Sequence, residues 1–341
     1  MDKEDGLFTT IVGSWPLSNN QENMLKIFGD IIQIGIDFPC YPQLLSMTYQ
    51  FLSPLSVKIP QLEEIDEKFY LSEDFKTPKD PIALEYGNFI TDYFNENPDL
   101  KKTIRGTKAC LTGPFTLAFE TILKNSVAKG LKPIIFEEPR AVMVDWIVVK
   151  FAEIIKKIGT AYSEMNIDII SCDEPILGLL VGRKILFHSE DFIINTINKA
   201  ISGIKGISSI HVCGRISPNL RDILLNTNVK ILDHEFRTNI ENFKIFERRH
   251  FQETDKILGL GTVESKFAPI MNKNLEEYVE DVDSIKKFIQ KGIDLYGKEN
   301  LIIKPDCGFY PLKVFGEKEG YQIAINKVKN MVLALKELKE N

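Results

Sequence analysis

Short apolar runs rich in β-branched residues recur along the whole chain. Eight of these runs predict β-strands, at residues 9–14, 36–39, 107–113, 167–173, 207–213, 229–235, 256–262 and 301–307. Longer segments between them carry apolar residues three and four positions apart, as in "VEDVDSIKKFIQKGIDLYG", which ends at a glycine suited to a helix C-cap. Strands and helices are therefore expected to alternate from end to end.

This alternation predicts an α/β fold with parallel strands, because each helix returns the chain to the same end of the sheet. Eight units favour a closed (β/α)₈ TIM barrel that forms a single domain over residues 1–341; a doubly wound open sheet is the alternative. The connection between strands 2 and 3, residues 41–105, is too long for an ordinary βα loop. We interpret it as an insertion that covers the barrel mouth.

Composition and charge narrow the classes of partner. The 341 residues are 44% hydrophobic and 26% charged, which suits a globular protein with a large core. A net charge of −6 and the absence of Lys/Arg clusters argue against nucleic acid as a partner. The start "MDKEDGLFTT" lacks the basic and apolar stretches of a signal peptide, and no apolar run is long enough to span a membrane. We therefore expect a cytoplasmic protein without a membrane partner.

The five cysteines are odd in number and widely spaced. A chain of this length does not need disulfides to stabilise its core, so reduced thiols or metal ligands are the favoured interpretation.

Polar residues of metal-ligand and acid–base type stand where the predicted strands end. Barrel enzymes place their chemistry at the C-terminal ends of the strands. The residues expected there are Ser14, Asp173, Glu174, His211, Cys213, Glu235, Glu264 and Cys307. These strand ends are therefore the candidate active site.

The stretch "SSIHVCGRIS" places His211 and Cys213 two residues apart, so both side chains are expected on one face of one strand, within reach of a single ion. Glu235 and Cys307, from the next strand and the last one, complete a mixed set of N, S and O donors. Such a set favours Zn²⁺. His234 is expected on the opposite face of its strand and is not included.

Each of these residues, taken alone, also has a structural interpretation. A His-x-Cys in a strand is commonly a packed pair, a carboxylate at a strand end is commonly a helix N-cap, and a buried cysteine is commonly a small apolar side chain. Their occurrence together at successive strand ends favours the metal site.

The motifs "HVCG", "DHEF" and "KPDCGF", in this order, resemble the zinc pattern of the catalytic domain of cobalamin-independent methionine synthase in its stand-alone core form, within the uroporphyrinogen decarboxylase-like superfamily. The segments "TTIVGSWP", "LTGPFTLA" and "DEPILG" are also similar. The resemblance implies a zinc ion bound by His211, Cys213, Glu235 and Cys307. It also implies that Ser14 contacts the amino-acid substrate and that Asp173 holds its ammonium group.

The sequence departs from the family pattern in three places. It has no counterpart of the extra N-terminal domain of full-length synthases. In "TVESK", Glu264 takes the position of the family's histidine proton donor, and it is the candidate catalytic acid. The segment "LLSMTYQF" contains Tyr49 and Gln50 but no carboxylate where a second ammonium ligand is expected.

The resemblance implies a zinc-dependent methyltransferase that moves a methyl group to a thiol, with homocysteine as the expected acceptor and methionine as the product. A methyl-corrinoid protein is favoured as the donor over a methyltetrahydropterin or folate, because a corrinoid leaves without a general acid. Two alternatives stay open. One is another small thiol such as coenzyme M as acceptor, and the other is a non-catalytic zinc- or corrinoid-binding accessory subunit.

Overall fold

The computed structural model describes residues 7–340 and contains ten strands in that range. They are β1 (Phe8–Thr9), β2 (Leu62–Ile65), β3 (Lys68–Leu71), β4 (Lys108–Thr112), β5 (Thr121–Leu123), β6 (Ile169–Asp173), β7 (Ile207–Val212), β8 (Ile231–His234), β9 (Ile257–Gly261) and β10 (Leu301–Lys304). Residues 1–6, which carry part of the signal-peptide argument, lie outside the described residues.

Seven strands form one curved parallel sheet in the order β1-β10-β9-β8-β7-β6-β4. Residues 38–40 close the ring between its two edges, because Thr10 bridges Phe38 and Cys40 bridges Lys108 in parallel fashion. The predicted second strand, 36–39, is present only as these bridges, since Pro39 has no N–H to extend a ladder. The predicted α/β barrel is confirmed, and the open sheet is not observed.

Thirteen α-helices occur among the described residues. They are α1 (Gln21–Ile34), α2 (Tyr49–Lys58), α3 (Glu85–Glu96), α4 (Pro98–Lys101), α5 (Pro114–Glu120), α6 (Asn125–Ala128), α7 (Asp145–Glu164), α8 (Leu177–Leu180), α9 (Glu190–Ile201), α10 (Pro218–Leu225), α11 (Arg248–Thr254), α12 (Val282–Tyr296) and α13 (Glu317–Glu340). None of those helices is long and apolar enough to cross a membrane.

Local sequence sets the ends of these helices. The Asn20 side chain accepts a hydrogen bond from the Asn23 N–H at 2.8 Å and caps the start of α1, and Gly35, with a φ of 96°, ends it. Asp281 caps α12 in the same way through the Ser284 N–H.

The two ends of the barrel interior differ in character. Side chains near the starts of the strands fill the N-terminal end with an apolar cluster of Phe8, Phe38, Ile169, Ile231, Ile257 and Ile302. Toward the C-terminal ends the interior instead carries buried charged residues, among them Lys108, Asp233 and Lys304. The polar half of the barrel is therefore the half that faces the predicted site.

Residues 41–105 fold into α2, a β2–β3 hairpin, α3 and α4. Asp66 and Glu67 both have positive φ and form the two-residue hairpin turn. Strand β3 also pairs in parallel with β5, which follows the barrel strand β4, so a small sheet of order β2-β3-β5 ties this segment to a βα loop of the barrel.

Candidate metal centre

The structure brings His211, Cys213 and Cys307 together at the C-terminal end of the barrel. His211 lies near the end of β7, Cys213 one residue beyond it, and Cys307 in the loop that follows β10. The His211 Nε2 is 3.1 Å from the Cys213 Sγ, and the two sulfur atoms are 3.4 Å apart. The three donor atoms lie within 4.8 Å of one another and form a possible metal site.

This donor set fits a tetrahedral ion. Two sulfurs bound to one Zn²⁺ lie about 3.8 Å apart, and a bound nitrogen and sulfur lie about 3.5 Å apart, given the usual bond lengths. The observed separations are a few tenths of an ångström shorter, so small side-chain rotations are enough to accept an ion. The residues therefore fit the metal that the sequence pattern implies.

Asp233 orients the His211 ring. Its Oδ1 lies 2.6 Å from the His211 Nδ1, which leaves Nε2 facing the sulfurs. Burial lowers the pKa of His211, but the Asp233 carboxylate outweighs this effect and raises that pKa to about 10. Burial alone raises the pKa of Asp233, yet the ammonium groups of Lys304 and Lys108, with His211, bring it well below its usual value.

The pKa values of the two thiols are shifted in opposite directions. A hydrogen bond to Cys307 raises the pKa of Cys213, and the same contact, with the charges of His211 and Lys304, lowers the pKa of Cys307.

Glu235 stands beside the cluster but is not part of it. Its Oε2 accepts a hydrogen bond from the Asn239 Nδ2 at 2.6 Å. Burial raises the pKa of Glu235 and the charge of Cys307 raises it further, so the carboxylate lies within electrostatic reach of that sulfur.

Asp306 holds the segment that follows Glu235. Its carboxylate accepts hydrogen bonds from the backbone N–H groups of Phe236, Arg237 and Thr238 at 2.8, 2.9 and 2.6 Å. Asp306 directly precedes Cys307, so one buried side chain joins the loop after β8 to the loop after β10.

Ser14 and Asp173 flank the cluster. Ser14 packs so closely on Gly308 that a Cβ at Gly308 would overlap the Ser14 Oγ, which explains the glycine after Cys307. Asp173 ends β6, is buried, and accepts a hydrogen bond from the Ser171 Oγ at 2.5 Å. Burial raises the pKa of Asp173, and the charges of His211 and Lys108 oppose that rise, so these groups share one interior.

Three other residues singled out by the sequence lie apart from the cluster. Glu174 accepts hydrogen bonds from the N–H groups of Phe115 and Thr116 and anchors the start of α5. His234 faces away from the barrel interior and stacks on Phe246. The Glu264 backbone N–H donates to Glu280. Burial lowers the pKa of the nearby Lys327, and the charges of Glu280 and Glu264 offset this only in part.

Sequence reasoning missed Asp233, Lys108, Lys304 and Asp306. A usable signal was present, since "TKACLTG" and "LIIKPDC" each place a lysine inside an otherwise apolar strand. Asp233 also lies two residues before Glu235, on the same face of its strand.

A cavity of about 820 Å³ opens at the same end of the barrel. The segment 41–105 contributes Leu44, Tyr49 and Phe69 to its wall, and barrel loops contribute Arg140 and Tyr310. None of the three clustered donors lines it, so the cavity is a neighbour of the metal centre and not the centre itself.

Comparisons with known proteins identify the family of this chain. Residues 99–337 match the family described as the catalytic domain of the cobalamin-independent synthase. A methionine synthase of Methanocaldococcus jannaschii is 28% identical over an alignment that covers 98% of this chain and 100% of that protein. A methionine synthase of Sulfolobus acidocaldarius is 22% identical over 97% of this chain and 93% of its own.

Solved structures are similar in fold. A B12-independent methionine synthase from Shewanella sp. W3-18-1, in complex with selenomethionine, superimposes with a TM-score of 0.67 at 16% identity over 98% of both chains. A methyltransferase from Methanosarcina mazei gives a TM-score of 0.59 at 15% identity over 99% of this chain and 95% of that one. Since the family match covers well over half of the chain, this protein belongs to the cobalamin-independent methionine synthase family of methyltransferases.

Proposed function

We propose that the protein transfers a methyl group to the thiol of homocysteine, giving methionine, at a zinc ion bound by His211, Cys213 and Cys307. The observation that carries this proposal is the His/Cys/Cys cluster at the catalytic end of the barrel. One imidazole and two sulfur donors favour zinc over harder ions. A bound Zn²⁺ keeps a thiol in its thiolate form and so supplies the nucleophile.

We propose Glu235 as the fourth ligand. The position of Glu235 beside Cys307 supports this assignment. Burial raises the pKa of Glu235, and the charge of Cys307 raises it further. Asp306 holds the adjacent backbone, so only the Glu235 side chain has to leave Asn239 and turn toward the cluster.

Asp173 and Ser14 are proposed to bind the amino acid. The Asp173 carboxylate is buried beside the cluster and has Ser171 as its hydrogen-bond partner, so it is suited to hold an ammonium group. Ser14 lies against Gly308, next to the ligand Cys307. Together they would orient a thiol substrate toward the cluster from two sides.

A second acceptor is favoured by one observation. Gln50, in the segment where a second carboxylate was expected, is buried, accepts a hydrogen bond from Gln43 at 2.9 Å and donates to the Tyr41 hydroxyl at 2.7 Å. This neutral network suits a thiol without an ammonium group, such as coenzyme M. Methyl transfer to homocysteine and to coenzyme M under equal conditions separates the two, and Asp173→Asn should impair only the transfer to homocysteine.

The donor is proposed to be a methyl-corrinoid protein. A pterin or folate donor must be protonated before it leaves, whereas a corrinoid leaves without a proton. Glu264, at the position of the expected acid, lies beside Lys327 and Glu280, and it is not a member of the donor cluster.

Paired assays with free methylcobalamin and with a methyltetrahydropterin test this choice. A corrinoid route predicts that Glu264→Gln has little effect on transfer from methylcobalamin, and that transfer from the pterin is weak in both proteins. A pterin route predicts that the same change abolishes pterin-dependent transfer alone. A loss of several orders of magnitude with both donors would move Glu264 into the metal or substrate site.

We also propose that residues 41–105 cover part of the barrel mouth, supported by the contributions of Leu44, Tyr49 and Phe69 to the cavity wall. The reduced thiols that the metal site requires support a cytoplasmic location.

Metal analysis of the purified protein tests the central proposal. One Zn²⁺ per chain is expected, and Cys307→Ser should lower the zinc content. Cys172→Ser is the matched control, because Cys172 is buried in β6 but is not in the cluster. A zinc content near zero that added zinc does not restore, or equal zinc affinity in both variants, contradicts the proposal.

A further inference from the structure

Lys304 is a fully buried lysine at the end of β10. Its ammonium group forms an ion pair with the Asp233 Oδ1 and donates a hydrogen bond to the Asp306 carbonyl oxygen at 2.8 Å. The ion pair is shielded from solvent, because the side chains of Lys304 and Asp233 are at most 2% exposed.

The first contact leads to the histidine of the metal centre. The Asp233 oxygen that pairs with Lys304 is the same oxygen that lies 2.6 Å from the His211 Nδ1. An outer carboxylate of this kind fixes both the tautomer and the orientation of a ligand histidine. Lys304 fixes the carboxylate in turn, because its ammonium reaches Asp233 from β10, two strands away in the sheet.

The second contact leads to a cysteine of the same centre. Asp306, whose carbonyl accepts from Lys304, is the residue before Cys307. The Asp306 carboxylate holds the backbone of residues 236–238 beyond Glu235. The ammonium of Lys304 therefore contacts one residue beside each half of the metal centre: Asp233, which holds His211, and Asp306, which precedes Cys307.

A structural lysine in the same barrel looks different. Lys256, just before β9, is also buried, but its ammonium donates to the carbonyl oxygens of Thr227 and Val229 at 2.7 Å each. Lys108 approaches the other Asp233 oxygen at a longer 3.5 Å and donates to the Ile11 carbonyl. Burying an ammonium is costly unless it is paired. Lys304 and Lys108 both pair with Asp233, but Lys304 makes the closer contact, with the oxygen that also contacts the His211 ring.

We propose that Lys304 is a positioning residue for the metal centre, which sets metal affinity by holding Asp233 against His211 and the Asp306 backbone next to Cys307. The inference rests on the proposed zinc site and assigns a residue that donates no ligand atom to it.

The test measures Zn²⁺ affinity of the full-length protein by competition with a chromophoric chelator. Lys304→Met is expected to weaken Zn²⁺ binding about 10- to 100-fold, the usual effect of removing an outer-shell partner. The matched control, Lys256→Met, is expected to stay within about twofold of wild type, because Lys256 does not contact the cluster.

Two further readouts separate positioning from a general loss of structure. The double variant that combines Lys304→Met with Asp233→Asn should lose less Zn²⁺ affinity than the product of the two single fold-losses, because both changes act on His211. The absorption bands of the Co²⁺-loaded protein should shift in Lys304→Met and not in Lys256→Met. If Lys304→Met does not fold, Lys304→Gln is the variant that tests the inference. Glutamine keeps an N–H donor for the Asp306 carbonyl but has no charge, and its Zn²⁺ affinity is expected to be about tenfold lower than that of wild type.

Equal Zn²⁺ affinity in wild type and the folded Lys304 variant, or an equal loss in the Lys256 control, overturns the inference. Absence of Zn²⁺ binding in the wild-type protein overturns the proposed function instead.

Discussion

The three hydrogen bonds to the Asp306 carboxylate give a direct test of how the loops of the metal centre are held. Oδ1 accepts from the N–H groups of Phe236 and Arg237, and Oδ2 accepts from that of Thr238. In Asp306→Asn the amide oxygen replaces Oδ1 and keeps two bonds, but the amide nitrogen faces the Thr238 N–H. One acceptor is lost and two donors are left opposed.

A hydrogen bond to a charged acceptor contributes about 1.5–3 kcal/mol. Asp306→Asn should therefore lower the free energy of unfolding by about 2–3 kcal/mol, near the top of the range for one such bond because of the opposed donors. Asp306→Ala removes both acceptor oxygens and so all three hydrogen bonds, and the Phe236 N–H is buried. The expected loss is then about 3–5 kcal/mol.

Urea unfolding followed by tryptophan fluorescence measures both losses. Trp15 is fully buried with its ring centre 5.4 Å from that of Phe309, so its emission also reports on the loop after Cys307. Asp281→Asn is the matched control, because Asp281 accepts one backbone N–H at an exposed helix start, where asparagine caps equally well. If Asp306→Asn is as stable as Asp281→Asn, or as unstable as Asp306→Ala, the assignment of these three bonds is wrong.

Three further predictions follow from the site. Asp173→Asn should weaken homocysteine binding by about 1.5–3 kcal/mol, or about 10- to 150-fold, with zinc retained; equilibrium binding and metal analysis check this, and loss of zinc would place Asp173 among the ligands. Removal of the metal by a chelator should abolish activity but leave the protein folded, as seen by circular dichroism, because the barrel has its own apolar core. Unfolding at room temperature contradicts this. Zn²⁺ affinity should rise with pH, about tenfold per pH unit for each proton released. The pKa of His211 is raised to about 10 and that of Cys213 is also raised, so both residues hold protons near neutral pH that the metal must displace. A flat affinity profile between pH 6 and 8 would show that they do not.

The barrel could be predicted because its strands are buried on both faces. Runs such as 107–113 and 167–173 are apolar and β-branched. The last six predicted strands are observed with starts within two residues and ends within three residues of the prediction. The first two predicted strands were wrong in extent for backbone reasons. Gly13, with a φ of 137°, turns the chain before residue 14, and Pro39 lacks the N–H that a ladder requires.

The clustered donors could also be predicted, since the two-residue spacing of His211 and Cys213 places both on one strand face. The contacts of their buried supports could not. The apolar neighbours of Lys304 signal that it is buried, but nothing local identifies its partner Asp233, which lies two strands away on β8. Asp306 resembles an ordinary turn residue, and its three partners are about 70 residues earlier in the chain.

The charges of the barrel interior support the proposed role of Asp173 in holding a substrate ammonium. Two buried cations, Lys304 and Lys108, both pair with Asp233. The remaining cation near Asp173 is His211, and a histidine that binds a metal must be neutral. Within the described residues, the metal-bound state then leaves Asp173 buried with the Ser171 hydroxyl and no ion pair. A buried carboxylate in that position is costly, and a ligand that brings a positive charge to it removes that cost. In the proposed function, metal binding at His211 therefore favours binding of an amino acid beside Asp173.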